Sequence, residues 1–90
     1  MASREVVLKD RYGLHPRAAL RIQQEAAKHE ARVTIAPAGG GAAVAASSMI
    51  SLVSAGIRSG DAVVVSGDGA DAEAAVAAVA DLIGAGVCHP

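Results

Sequence analysis

The chain has no Phe and no Trp, and Tyr12 is its only aromatic residue. Any core must therefore be filled by Ala, Val, Ile and Leu. A core of that kind suits helices laid on one face of a sheet. With 90 residues, residues 1–90 are expected to form a single domain with a thin core.

The local patterns fit that frame. Residues 4–9 (REVVLK) are short and β-branched and predict a strand; residues 10–15 (DRYGLH) read as a loop. Pro16 then opens a helix to about Lys28, because proline at the first helical position gives up an N–H that has no intrahelical partner. Ala19, Ile22 and Ala26 form its inward face, and Arg21 and Glu25 are spaced to pair on the outside. Residues 31–37 predict a second strand, 38–41 a turn, and 42–46 a weak third strand, together a hairpin. Ser47 or Ser48 can cap a short helix over Met49–Ala55, with Gly56 ending it. Asp61–Ser66 is a strong strand, and Gly67–Ala70 turns the chain. The last helix runs from about Asp71 to Ile83, with Asp71 as its cap and Gly84 and Gly86 ending it. The order β-α-β-β-α-β-α with a hairpin predicts an α+β open-faced sandwich: a four-stranded antiparallel sheet with three helices on one face.

The chemistry gathers at Gly13-Leu14-His15-Pro16-Arg17. His15 directly precedes the helix start, so the first-turn N–H groups and the positive end of the helix dipole point at its side chain. That arrangement favours an anion there. A neutral imidazole offers a lone pair that can attack phosphorus, and Arg17 stands ready to pair with the phosphoryl oxygens.

The segment from Gly13 to Ala19 resembles the active-site motif of HPr, the histidine-containing phosphocarrier family of the bacterial phosphotransferase system. The likeness extends to Ser48–Ile57, similar to the family's second helix with its leading serine, and to Arg58-Ser59-Gly60-Asp61 running into Ala62–Val65, similar to its fourth strand. The resemblance implies a carrier with a phosphohistidine intermediate, not an enzyme with its own turnover. His15 would accept a phosphoryl group from Enzyme I, which draws it from phosphoenolpyruvate, and pass it to an Enzyme IIA-type acceptor in sugar uptake. Arg17 would assist. Pro16, Met49, Ile50 and Val53 would meet partners, with Leu52 in the core. Ser48 aligns with the serine that a regulatory kinase phosphorylates in some bacteria. Two positions depart from the family pattern: it usually has a small residue after the histidine and a proline after the arginine, where this chain has Pro16 and Ala18. Pro16 removes one first-turn N–H, Ala18 restores one two positions later, and the N–H of Arg17 survives. Tyr12 stands where a smaller residue is common and can lean over His15. Related carriers serve nitrogen-linked or dihydroxyacetone-linked relays.

Other features narrow the function. The net charge is −1, yet within residues 1–32 seven basic residues stand against four acidic ones; a basic surface there suits an acidic partner or a phosphate. Without interleaved aromatics, a nucleic-acid binder is not expected. Cys88 is the only cysteine, so no intrachain disulfide can form. Cys88 and His89 supply only two metal ligands, the run Gly39–Gly41 lacks the Lys-Ser/Thr of a nucleotide phosphate loop, and no cofactor or metal is expected. His29 is expected to meet the dipole at the end of the first helix. Arg4 and Glu5 interrupt any early apolar run, so no signal peptide and no membrane insertion are expected, and the expected setting is a cytoplasmic monomer. The competing reading is a small regulatory or binding domain that uses the surface around Met49 and Ile50 without transferring phosphate.

Overall fold

The computed structural model describes residues 2–11 and 13–86. It contains β1 (Ala2–Val7), α1 (Pro16–Ala26), β2 (Arg32–Pro37), β3 (Val44–Ala45), α2 (Met49–Ser54), β4 (Ala62–Asp68) and α3 (Ala72–Ala85). The sheet order is β1-β4-β2-β3 and every pairing is antiparallel. This is the expected α+β architecture.

Alternation along the strands explains the layering. Val33, Ile35, Val63 and Val65 are buried on the helix side of the sheet, while Thr34, Ala36, Val64 and Ser66 are only half-buried. α3 packs across β1, β4 and β2, and α1 packs against both α2 and α3. Leu8, Ile22, Ile35, Leu52 and Ile83 are the largest side chains sealed in the core. Burying an aliphatic side chain of this size contributes about 1.5–3 kcal/mol, so these few residues carry much of the cohesion.

The structure corrects several details. β1 begins two residues earlier than expected and ends at Val7, because its register pairs Ala2 with Gly67 and Val7 with Ala62. β4 correspondingly continues to Asp68, and β3 shrinks to two residues. Gly84 does not end α3; it lies inside the helix, where a Cβ would come within 2.9 Å of Val6 Cγ2. Its role is to let α3 approach β1, and the helix ends at Gly86. Asp71 stands at the N-cap position of α3 but makes no side-chain cap there. Its carboxylate instead accepts from the N–H groups of Glu30 at 3.0 Å and Ala31 at 2.7 Å. Glu25 pairs with Lys28 at 3.3 Å, not with Arg21. His29 lies beyond the end of α1 at Ala26, and its ring lies between two carboxylates, with Nδ1 3.3 Å from Asp71 and Nε2 3.7 Å from Glu25. Tyr12, Cys88 and His89 lie outside the described residues.

Candidate functional site

His15 is presented from a stitched base. Leu8 and Leu14 are both buried, so the loop between β1 and α1 is anchored in the core before and after its turn. The Gly13 N–H donates to the Asp10 carbonyl at 3.1 Å, and the Leu14 N–H donates to the Ile57 carbonyl at 3.0 Å. Further along, the Leu8 N–H reaches the Asp61 carbonyl and the Gly60 N–H reaches the Leu8 carbonyl, each at 2.9 Å. The loop carrying the histidine is thus sewn to the loop between α2 and β4. Gly13 has φ +74°, a region that side chains rarely adopt. A Cβ there would lie 2.8 Å from the Ile57 carbonyl oxygen, so the close approach itself requires glycine.

His15 then caps α1, as the His-Pro order predicts. Its backbone is extended, Pro16 is the first helical residue, and its Nδ1 accepts from the Ala18 N–H at 3.4 Å. The ring is half-buried. Pro16 and Arg17 are exposed. Among the described residues Arg17 forms no ion pair with a carboxylate, which leaves its guanidinium available to an incoming anion.

Ser48 caps α2, its Oγ accepting from the Ser51 N–H at 3.3 Å and lying 2.9 Å from Ser51 Oγ. Leu52 is fully buried, as expected for a core position. Met49 is partly buried against the core. Ile50 is 77% exposed and Val53 is 37% exposed, which is unusual for side chains this apolar. The Gln23 amide donates to the Ser47 carbonyl at 3.0 Å, fixing the start of α2 against α1. Gln23 follows His15 by about two helical turns, roughly 12 Å along α1, so this contact sets the start of α2 about that far along the helix from the histidine. Leu20 on α1, 43% exposed, is a further apolar residue on the surface. Sequence reasoning passed over it, though its place off the Ala19–Ile22–Ala26 stripe was the available signal.

No helix among the described residues is long and apolar enough to cross a membrane. The described residues hold no cluster of three or more His, Cys, Asp or Glu side chains able to grip a metal ion.

Comparisons with known proteins agree with this geometry. Residues 2–85 match the family described as the PTS HPr component phosphorylation site. The chain is 38% identical over 76 residues to the phosphocarrier protein HPr of Mycoplasma genitalium, covering 83% of this chain and 84% of that one. In structure it resembles HPr-C-His from Thermoanaerobacter tengcongensis, with TM-score 0.83, 31% identity, and coverage of 92% and 91% of the two chains. It also resembles HPr from Bacillus anthracis str. Ames, with TM-score 0.82, 29% identity, and coverage of 91% and 95%. Sequence motif, fold and family match converge: the chain belongs to the HPr family, the phosphocarrier proteins of the phosphotransferase-system relay, which hand on phosphoryl groups without being catalysts in their own right.

Proposed function

We propose that His15 is the residue that carries the phosphoryl group, receiving it from phospho-Enzyme I and delivering it to an Enzyme IIA-type domain in sugar uptake. The observation that supports this most directly is the placement of the His15 ring at the N-terminus of α1, with Nδ1 facing the first-turn amides. Nucleophile and anion-binding donors meet at one point there, so the group is attacked and held by the same few residues. Arg17 pairs with the phosphoryl oxygens as charge develops on them. The protein needs little more, since phosphoryl transfer rests on positioning and electrostatics.

Residues 1–90 work as one domain in this reading, a monomer in the cytoplasm. Pro16, Met49, Ile50 and Val53 form the surface that partners cover, and Leu20 joins them. An exposed apolar patch beside a reactive group marks an interaction site. Ser48 is the regulatory position: a kinase acting on it would add negative charge at the edge of that patch.

The test is incubation with Enzyme I and phosphoenolpyruvate. An acid-labile gain of one phosphoryl mass is expected for the wild type and its loss in His15→Ala, with the variant still folded. Labelling that persists in His15→Ala would move the site to His29 or His89. A wild type that takes no phosphate would favour the non-transferring binding domain.

A further inference from the structure

The residues proposed to meet partners lie on two separate helices. Pro16 and Leu20 are exposed on α1, and Met49, Ile50 and Val53 lie on α2. A partner that covers both needs their relative placement fixed. α2 has only six residues, and a helix that short does not hold itself together in water. Leu52 is its buried residue, which gives it a pivot in the core.

Gln23 supplies a second hold. Its Nε2 donates to the Ser47 carbonyl at 3.0 Å. That carbonyl is open to it because of how α2 begins. The N–H four residues on, that of Ser51, goes to the Ser48 Oγ at 3.3 Å. The Leu52 N–H goes to the Ser48 carbonyl at 3.0 Å. On α1, Gln23 follows Pro16 and Leu20 at spacings that place all three on one stripe of the helix. The exposed apolar stripe that starts beside His15 therefore ends on the residue that grips the start of α2.

We propose that Gln23 is a positioning residue for transfer from Enzyme I: its amide holds α2 against α1, so that Pro16, Leu20, Met49 and Ile50 meet the partner as one prearranged surface. The inference rests on the docking surface and relay proposed above. Binding costs the ordering of whatever is loose at the interface, and this bond meets that cost on folding. The bond also strengthens as the partner lands, because water no longer competes for the Ser47 carbonyl. Gln23 stands about two turns, roughly 12 Å, along α1 from His15, so it acts on docking and not on the phosphoryl group.

The test separates docking from chemistry in Gln23→Glu and Gln23→Met. Glu keeps the shape and turns oxygens toward the Ser47 carbonyl; Met keeps a chain of similar length without a donor. Both are good helix formers, so the melting temperature should change little. Potassium phosphoramidate, a small phosphoryl donor whose P–N bond breaks as ammonia leaves, needs no partner protein, and both variants should load from it at the wild-type rate. Binding to Enzyme I, measured by calorimetry without phosphoenolpyruvate, should weaken about threefold to tenfold, the range that one neutral hydrogen bond supplies. With phosphoenolpyruvate added, the KM for the carrier should rise by the same factor while kcat holds. Unchanged affinity in both variants would overturn the proposal. So would a loss in Gln23→Glu alone, which would assign the effect to charge, or an equal slowing of phosphoramidate loading, which would mark a general loss of structure. Weakened binding to an Enzyme I that transfers nothing even to the wild type would uphold the role of Gln23 and count against the relay reading. An Enzyme I that does not bind the wild type would overturn both.

Discussion

The carboxylate of Asp71 accepts from the Ala31 N–H at 2.7 Å across 40 residues of chain, tying the start of α3 to the start of β2. Partial burial pushes this carboxyl up, but the N–H groups of Glu30, Ala31 and Asp71 itself, with His29 alongside, outweigh that and hold it below the ordinary value of 3.8. A carboxylate with a depressed folded value stabilises the fold fully above its unfolded value, and that contribution is lost as pH falls through the folded value. Thermal melts between neutral pH and strong acid should therefore show the wild type losing stability below about pH 4, near the ordinary Asp value. Asp71→Asn, which keeps the size and drops the charge, should be less stable near neutrality and show a flatter acid limb. Parallel acid limbs for the two proteins would count against the assignment.

Gly13 fixes where His15 stands. A side chain there meets the Ile57 carbonyl oxygen at 2.8 Å and the Arg58 Cα at 3.2 Å, on a backbone with φ +74°. Gly13→Ala should cost about 1–3 kcal/mol in denaturant unfolding, the usual cost of a strained backbone position. It should also slow phosphoryl acceptance, because relieving the clash pulls on the bond from the Leu14 N–H to Ile57. Full stability with full transfer would show that the two loops can part without consequence.

Arg17 is exposed at the second position of α1. Arg17→Ala removes the guanidinium and keeps the backbone N–H, so the anion seat survives. Transfer should slow by about 10²-fold, the lower end for losing one donor that stabilises developing charge, while the final extent of phosphorylation is kept. Rapid-quench kinetics in both directions would check this; unchanged rates would reduce Arg17 to a surface residue.

How much of this could be read from residues alone depends on how local the cause is. The His15 cap was legible because proline can follow a cap directly, and the end of α2 because Gly56 sits just past its last turn with φ +71°. Leu52 was expected in the core from the likeness of its helix to the family's second helix, and it is fully buried. The partner of Asp71 was not, since nothing near position 71 encodes a turn 40 residues earlier. Gly84 misled for the same reason: next to Gly86 it reads as a stop, and only the packing of Val6 against it shows why glycine is needed inside the helix. The Ala18 N–H was expected to be restored, but its use as the donor to Nδ1 is a matter of ring orientation, which no sequence pattern fixes.

Ser48 provides the remaining test, because its cap and the regulatory role proposed for it respond differently to a negative charge. Its Oγ accepts from the Ser51 N–H and donates to Ser51 Oγ. Ser48→Asp keeps an acceptor at the cap, and Asp ranks with Ser there. A negative charge at a helix N-terminus is worth about 0.3–1 kcal/mol in its favour, so the melting temperature should hold. Docking should suffer nonetheless. Ile50 stands 77% exposed two residues further on, and a partner covering it would have to desolvate the new carboxylate or face it with acidic groups, which opposes binding. Phosphotransfer from Enzyme I, followed against Enzyme I concentration, should need more partner to reach the same rate, with the maximal rate little changed. An unaltered concentration dependence would show that α2 is not where partners dock. A large drop in melting temperature would show that the serine is needed as a cap in its own right, and the regulatory role proposed for Ser48 would fall with it.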